Sequence, residues 1–207
     1  MIDIAVPSGN EQEFLEMGKG LGYKGICFLY RLNDYFNADC SSANRDAKRT
    51  LTIKTYKGII ADAGEAGRLK LRLKGEKAFV AIKSNGEDME IVKDRKANLI
   101  FSFEGALRKD FMHHRASGLN HILCRLAKEN SISIGFSLNS LLNSNNSSVT
   151  LGRLMQNIML CQKFRVDTVI ASFATKPFEM RSPHDLESLF RVLGHKNPEF
   201  LKETSMF

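Results

Sequence analysis

The run Asn98-Leu-Ile-Phe101, the helical segment Leu119–Ala127 and the run Ser131-Ile-Ser-Ile-Gly-Phe136 make one complete strand–helix–strand unit. The two flanking runs are short, apolar and rich in β-branched and aromatic residues, as buried strands are. Between them Leu119, Ile122, Leu123, Leu126 and Ala127 recur at i, i+3, i+4, i+7 and i+8, one apolar stripe along a helix. Asn120, Arg125 and Lys128 lie off the stripe, and Asn130 suits the C-terminal cap.

The same unit repeats on both sides. Ile2–Val6 is a β-branched run; Asn10 with Glu13 three places on is a capping-box spacing, and Phe14, Met17 and Leu21 then share a helical face that Gly22 ends. Lys24–Leu29 reads as a second strand, Asn33–Lys48 as a polar helix, and Leu51–Ile60 as a third strand. Phe79–Ile82 and Asn98–Phe101 follow, joined by a short polar connection. Ser131–Phe136 and Asp167–Ala171 complete seven strands. Between those two comes a helix from Leu151 to about Phe164, capped by Thr150, after the polar loop Asn143–Ser148. Ser182-Pro183-His184-Asp185 is a helix start, with the hydroxyl at the cap, proline in the first turn and an acid beside it; Gly194 ends that helix, and Asn197-Pro198 starts another short one. In Arg68-Leu-Lys-Leu-Arg-Leu-Lys74, strict alternation suits a strand with four cations on one face, whereas the rhythm of the neighbouring elements asks for a helix.

Strand alternating with helix along the whole chain implies an α/β fold with a parallel sheet covered on both faces. No G-x-G-x-x-G follows the first strand and no Walker loop is present, which disfavours a nucleotide-binding open sheet. The expectation is a compact, irregular TIM-type (β/α) barrel, a single domain over residues 1–207, with functional loops at the C-terminal ends of the strands.

The chain has 207 residues, 43% of them hydrophobic and 26% charged, a soluble globular composition. It has no apolar run long enough to span a membrane and no basic-then-apolar leader, so no membrane association and a cytoplasmic location are expected. Cys27, Cys40, Cys124 and Cys161 form no C-x-x-C pair, as in a protein of a reducing compartment. A formal charge of +7 points to an anionic partner.

The cations concentrate at Arg108, Lys109, His113, His114 and Arg115, just before a helix N-terminus whose free N–H groups already favour phosphate. Asp3, Glu104 and Asp167 stand near strand ends, but none belongs to a His-x-His or His-Glu-x-x-His pattern, and no Gly-x-Ser-x-Gly elbow occurs. No residue pattern by itself marks an active site.

The block Asp110-Phe-Met-His-His-Arg-Ala-Ser-Gly-Leu-Asn-His-Ile-Leu-Cys-Arg-Leu-Ala127, followed by Ile132–Ser137, closely resembles the signature of ribonuclease P protein component 3, a family shared by archaeal and eukaryotic RNase P. Gly22–Cys27 and Arg181-Ser-Pro-His-Asp-Leu186 resemble it too, in the same order along the chain. The resemblance implies a TIM-barrel-like protein subunit of the particle that removes 5′ leaders from precursor tRNA. It implies that the RNA with its Mg²⁺ does the chemistry, that this chain binds no cofactor or metal and has no catalytic residue, and that it braces the RNase P RNA beside a small companion subunit.

Carried residue by residue, the resemblance makes His113, His114, Arg115, Lys128 and Arg181 RNA contacts; charge and position add Lys109, Lys163 and Lys176. Arg181 has an alternative role, pairing with an acid to lock the last strand–helix loop. Ser117, Gly118, Ser182 and Pro183 are expected to shape helix starts. A structured RNA is read through shape and backbone more than through base edges. The alternative reading is a metal-dependent phosphoesterase of the polymerase-and-histidinol-phosphatase type, but those carry His-x-His after the first strand, where this chain has Asp3-Ile4-Ala5.

Overall fold

Seven strands, β1 (Ile2–Ala5), β2 (Gly25–Tyr30), β3 (Lys54–Asp62), β4 (Phe79–Lys83), β5 (Leu99–Phe101), β6 (Ser133–Ser137) and β7 (Thr168–Ala171), pair in chain order, every pair parallel. This is the sequential order of a (β/α) barrel, not the split order of a doubly wound sheet. The computed structural model describes residues 1–38, 53–73, 77–105, 109–110, 112 and 115–206, without the side chains of 70 and 71. The helices are α1 (Glu11–Gly20), α2 (Leu32–Tyr35), α3 (Ala66–Leu73), α4 (Met89–Lys93), α5 (His121–Glu129), α6 (Leu138–Leu142), α7 (Ser147–Phe164) and α8 (Pro183–Val192).

Strand residues alternate between two cores. Ile4, Cys27, Leu29, Phe79, Ala81, Leu99, Phe101, Val169 and Ala171 fill the barrel; Ile26, Phe28, Ile59, Ile82, Ile100, Ile134 and Ile170 face the helices. Two inward glycines let aromatics in. A Cβ on Gly58 would come within 2.8 Å of Leu29 and 2.9 Å of Phe79, and one on Gly135 within 2.8 Å of the Phe101 Cβ. Phe101 in turn stacks on Phe173 at 4.2 Å between ring centres.

Seven strands leave a seam between β1 and β7, and it is closed by other means. At its upper end Ala5 bridges Ala174, and the Val6 amide donates to the Ala174 carbonyl at 2.8 Å. In the middle the buried Asp3 carboxylate accepts from the Ser172 amide at 2.8 Å and from its hydroxyl at 2.6 Å. At the lower end the tail inserts: Leu201 bridges Ile2 in antiparallel sense, and the Glu199 carbonyl accepts from the Ile170 amide at 2.8 Å.

Several sequence expectations change. The tail after Asn197-Pro198 is this seam filler followed by a 3₁₀ turn at Glu203–Ser205, not another α-helix. Residues 66–73 of the alternating basic segment are helical, so Arg68 and Arg72 lie one turn apart on an exposed side while Leu69 is buried. The polar connection before β5 carries α4. The helix expected over Asn33–Lys48 is described only as the single turn α2, and its remainder, with the strand start at Leu51 and with Cys40, lies outside the described residues. At α1 the side chains of Asn10 and Glu13 meet each other at 3.5 Å instead of capping the backbone.

In α7 the cap is Asn146, which accepts from the Val149 amide at 3.3 Å; Thr150 is buried inside the helix. In α5 the cap is Asn120, accepting from the Leu123 amide at 2.8 Å. Leu123, Cys124 and Ala127 form its buried face, with Leu119 buried just before the cap, while Ile122 is half exposed. Cys124 and Cys161 are distant in sequence, but their thiols hydrogen-bond across α5 and α7; with burial, that bond pushes the Cys161 thiol up.

Burial raises the Asp3 carboxyl from 3.8 to about 6, against the pull of the Ser172 hydrogen bonds. A carboxyl whose pKa rises on folding favours the fold while protonated, and this contribution is lost as pH climbs through the folded value. Asp3→Asn keeps an acceptor for the Ser172 amide without the charge. Thermal melts should therefore show wild type losing stability relative to Asp3→Asn between about pH 4 and pH 6; a stability difference flat across that window would mean the seam carboxyl does not titrate there.

Candidate functional site

The loops at the C-terminal ends of the strands surround a cavity of about 630 Å³. Its floor is Val6, Ile60, Phe101 and Phe173, and Lys83 enters it as the last inward residue of β4. Glu104 lines it from the turn after β5. Neither Glu104 carboxylate oxygen has a hydrogen-bond partner, and burial pushes its carboxyl up. Asp3 is spent on the seam, and Asp167 lies at the other end of the barrel, 3.0 Å from Lys128. Among the described residues no three His, Cys, Asp or Glu side chains gather as metal ligands.

Beside this mouth, the segment that the sequence marks as basic is clamped onto α7. Arg153, with only 9% of its side chain exposed, donates from Nε to Asp110 at 3.0 Å and from Nη1 to the Glu104 carbonyl at 3.0 Å. Asp110 also accepts from the Ala116 amide at 2.9 Å. Burial pushes the Asp110 carboxyl up, but that amide and the Arg153 guanidinium outweigh it and hold the group below its usual range. One turn on, Gln156 donates to the Ser117 hydroxyl at 3.0 Å and to the Arg115 carbonyl at 3.2 Å, and Asn157 to the Ser117 carbonyl at 2.9 Å. Gly118 turns the chain at φ +86°, so close to the Phe103 carbonyl that a Cβ would come within 2.5 Å of its oxygen. Ser117 thus anchors the segment to α7, while Asn120 begins the helix.

The clamp fixes where the nearby cations stand. The Arg115 guanidinium lies on α7 over Gly152, where a Cβ would meet its Nη1 at 2.1 Å, and Lys109 borders the cavity mouth. His113 and His114 lie outside the described residues. Lys176 and Arg181 sit on the loop after β7. There one Glu179 oxygen accepts from the Thr175 amide at 2.8 Å, its hydroxyl at 3.0 Å and the Lys176 amide at 3.1 Å. Among the described residues Arg181 pairs with no acid: its Nη1 donates to the Phe178 and Met180 carbonyls at 2.8 and 2.7 Å, and its carbonyl accepts from Tyr23.

Lys128 and Lys163 occupy the last turns of α5 and α7, at the opposite end of the barrel, and Lys163 leans over Phe164. The eight sequence-derived positions therefore do not form one cluster. Lys109, Arg115, Lys176 and Arg181 belong to the strand C-terminal side. The clamp residues Arg153, Gln156 and Asn157 were not singled out from sequence. Their signal is polar residues on a helix face that is otherwise apolar, since Thr150, Arg153 and Asn157 share the buried face of α7 with Leu154, Ile158 and Cys161. A buried polar side chain must find partners, and here the partner is the basic segment.

A family model described as RNase P subunit p30 matches residues 1–200. The chain is 29% identical to ribonuclease P protein component 3 of Methanosarcina acetivorans over 97% of this chain and 82% of that protein. It is 24% identical to the component of the same name from Methanocaldococcus jannaschii, over 88% and 78% of the two chains. Among solved structures it is similar to a chain of archaeal ribonuclease P with mature tRNA, with TM-score 0.74, 22% identity, and coverage of 93% and 82%. It also shares its fold with a histidinol phosphate phosphatase from Lactococcus lactis, with TM-score 0.65, 9% identity, and coverage of 97% and 95%.

Replacing Arg153 by Met removes three donors from a largely buried network and should cost about 1–3 kcal/mol. Amide exchange at residues 115–118 should accelerate while the strands stay protected. Arg153→Lys should not restore protection, because an ammonium cannot reach both acceptors in the same geometry. Unchanged exchange in that segment would show that it is held by something other than α7.

Proposed function

The chain belongs to the RNase P subunit p30 family, and from that membership we propose that it is a protein subunit of ribonuclease P, the particle that removes 5′ leaders from precursor tRNA. In this reading the RNA with its Mg²⁺ performs the cleavage. This chain contributes no catalytic residue and no cofactor; it braces the RNA together with companion protein subunits, in the cytoplasm. The observation that carries the reading is the family match across residues 1–200.

The physical chemistry supports such a role. Affinity for a folded RNA comes chiefly from phosphate neutralisation, and its specificity of placement comes from cations held at fixed spacing. Lys109 and Arg115 on the clamped segment, with Lys176 and Arg181 on the loop pinned by Glu179, are the contacts we assign to the strand C-terminal side. His113 and His114 extend that set from the same segment. Lys128 and Lys163 form a second contact region at the opposite end, and Lys128 would exchange its pairing with Asp167 for a phosphate. The phosphatase likeness rests on fold alone, which does not carry an activity.

The test is precursor-tRNA cleavage by the cognate RNA and companion proteins, with and without this chain, beside this chain alone in Mg²⁺. Cleavage at low Mg²⁺ should depend on the chain, and the chain alone should be inert; cleavage by the protein alone would overturn the proposal. In the same system Arg115→Ala should weaken RNA association and lower the salt slope by about one, with an unchanged melting temperature. An unaltered slope would remove Arg115 from the contact set.

A further inference from the structure

Phe178 is the most exposed phenylalanine among the described residues, at 66%, and it stands on a hydrogen-bonded turn. It follows Pro177 in a one-turn 3₁₀ helix, and three hydrogen bonds to a single Glu179 oxygen tie that turn to Thr175 and Lys176. Its own carbonyl is held by Arg181. Scattered apolar residues on a surface need no explanation; a large aromatic on a rigid loop between two cations is a different case. The Lys176 ammonium stands over one face of the ring, 5.7 Å from its centre, and the Arg181 guanidinium is held at the Phe178 carbonyl on the same turn. No salt bridge among the described residues occupies either cation. An aromatic face with flanking positive charge is the arrangement that holds one unpaired base by stacking and its neighbouring phosphates by charge.

We propose that Phe178, flanked by Lys176 and Arg181, is a stacking platform for an unpaired base of single-stranded RNA. The inference rests on the ribonuclease P reading and deepens it by naming the kind of RNA element this loop takes. Duplex RNA does not fit, because its bases present no free face; a loop, bulge or strand end does. The fixed backbone means that little conformational freedom is lost when the base docks.

The chain contains no tryptophan, so Phe178→Trp installs a single fluorophore at the platform while keeping an aromatic face. The probes are a single-stranded RNA dodecamer, the duplex of the same sequence and the cognate RNase P RNA, titrated against the full chain. Phe178→Trp should bind the dodecamer and the RNase P RNA like wild type, with its emission quenched by both and not by the duplex.

Phe178→Leu, which keeps an apolar side chain without a stacking face, should bind the dodecamer about tenfold more weakly with an unchanged salt slope. Lys176→Ala should lower that slope by about one. All variants should melt like wild type, since the side chain is exposed. Wild-type affinity in Phe178→Leu, or Trp emission indifferent to RNA, overturns the proposal. So does Phe178→Ala that keeps RNA affinity but no longer co-elutes with a companion subunit, because the ring then serves a protein contact. If the wild-type chain assists cleavage and only the Phe178 variants behave as wild type, the platform fails and the subunit reading stands. If the wild-type chain gives no assistance, the subunit reading fails.

Discussion

A parallel barrel of this type normally closes with eight strands; the described residues supply seven, and the rest of the structure follows from how the seam between the first and the last is closed. Between β1 and β7 no continuous backbone ladder forms. An Asp3 carboxylate stands in for the ladder at mid-seam, accepting two hydrogen bonds from Ser172, and the tail around Glu199–Leu201 fills the lower gap. Backbone groups at such a seam cannot be left unpaired in a dry core, so a side chain and a tail are recruited to satisfy them. The acid of β1, on the helix-facing side of the strand, is thereby committed to structure. The cleft at the C-terminal ends of the strands holds Lys83, hydroxyls and the unpartnered Glu104.

A second constraint acts outside the barrel. α7 is long and buries Arg153 and Asn157, which a helix packed on a sheet would ordinarily avoid. Each finds its partner in the irregular segment that precedes α5, so an extended loop with cations acquires a rigid backing. The loop after β7 reaches the same end by another route, with Glu179 folding back onto its own turn. Cations on rigid supports are what a protein needs if it is to recognise an RNA by the spacing of its phosphates, because flexible lysines would average that spacing away. The loop after β7 adds an exposed aromatic ring to its charge.

Long elements with a strong local signal were legible from the residues: the seven strands, the buried face of α5 at Leu123 and Ala127, and the Ser182-Pro183 start of α8. Local signals misled where two of them competed. Asn146 took the cap position ahead of Thr150, adding a turn to α7, whereas the Asn120 cap starts α5 at His121, two residues later than the stripe suggested. Ile122 fits the apolar stripe by spacing but falls at its edge, because the buried face turns toward Cys124 and the Cys161 thiol on α7. The alternating segment Arg68–Leu73 is helical, since its connection between β3 and β4 must cross over the sheet.

By itself, then, the sequence determined the strands, the longer helices α5, α7 and α8, the parallel α/β class, the basic character and the family, because each is written in short-range periodicity, composition or contiguous motif. Only the tertiary structure decided which polar residues meet: Asp3 with Ser172 across the seam, Arg153 with Asp110, Cys124 with Cys161, and Phe178 left exposed between Lys176 and Arg181. Those pairings join residues far apart in the chain, and no local pattern specifies them; they follow from the order in which seven strands close and from the depth at which α7 packs against them.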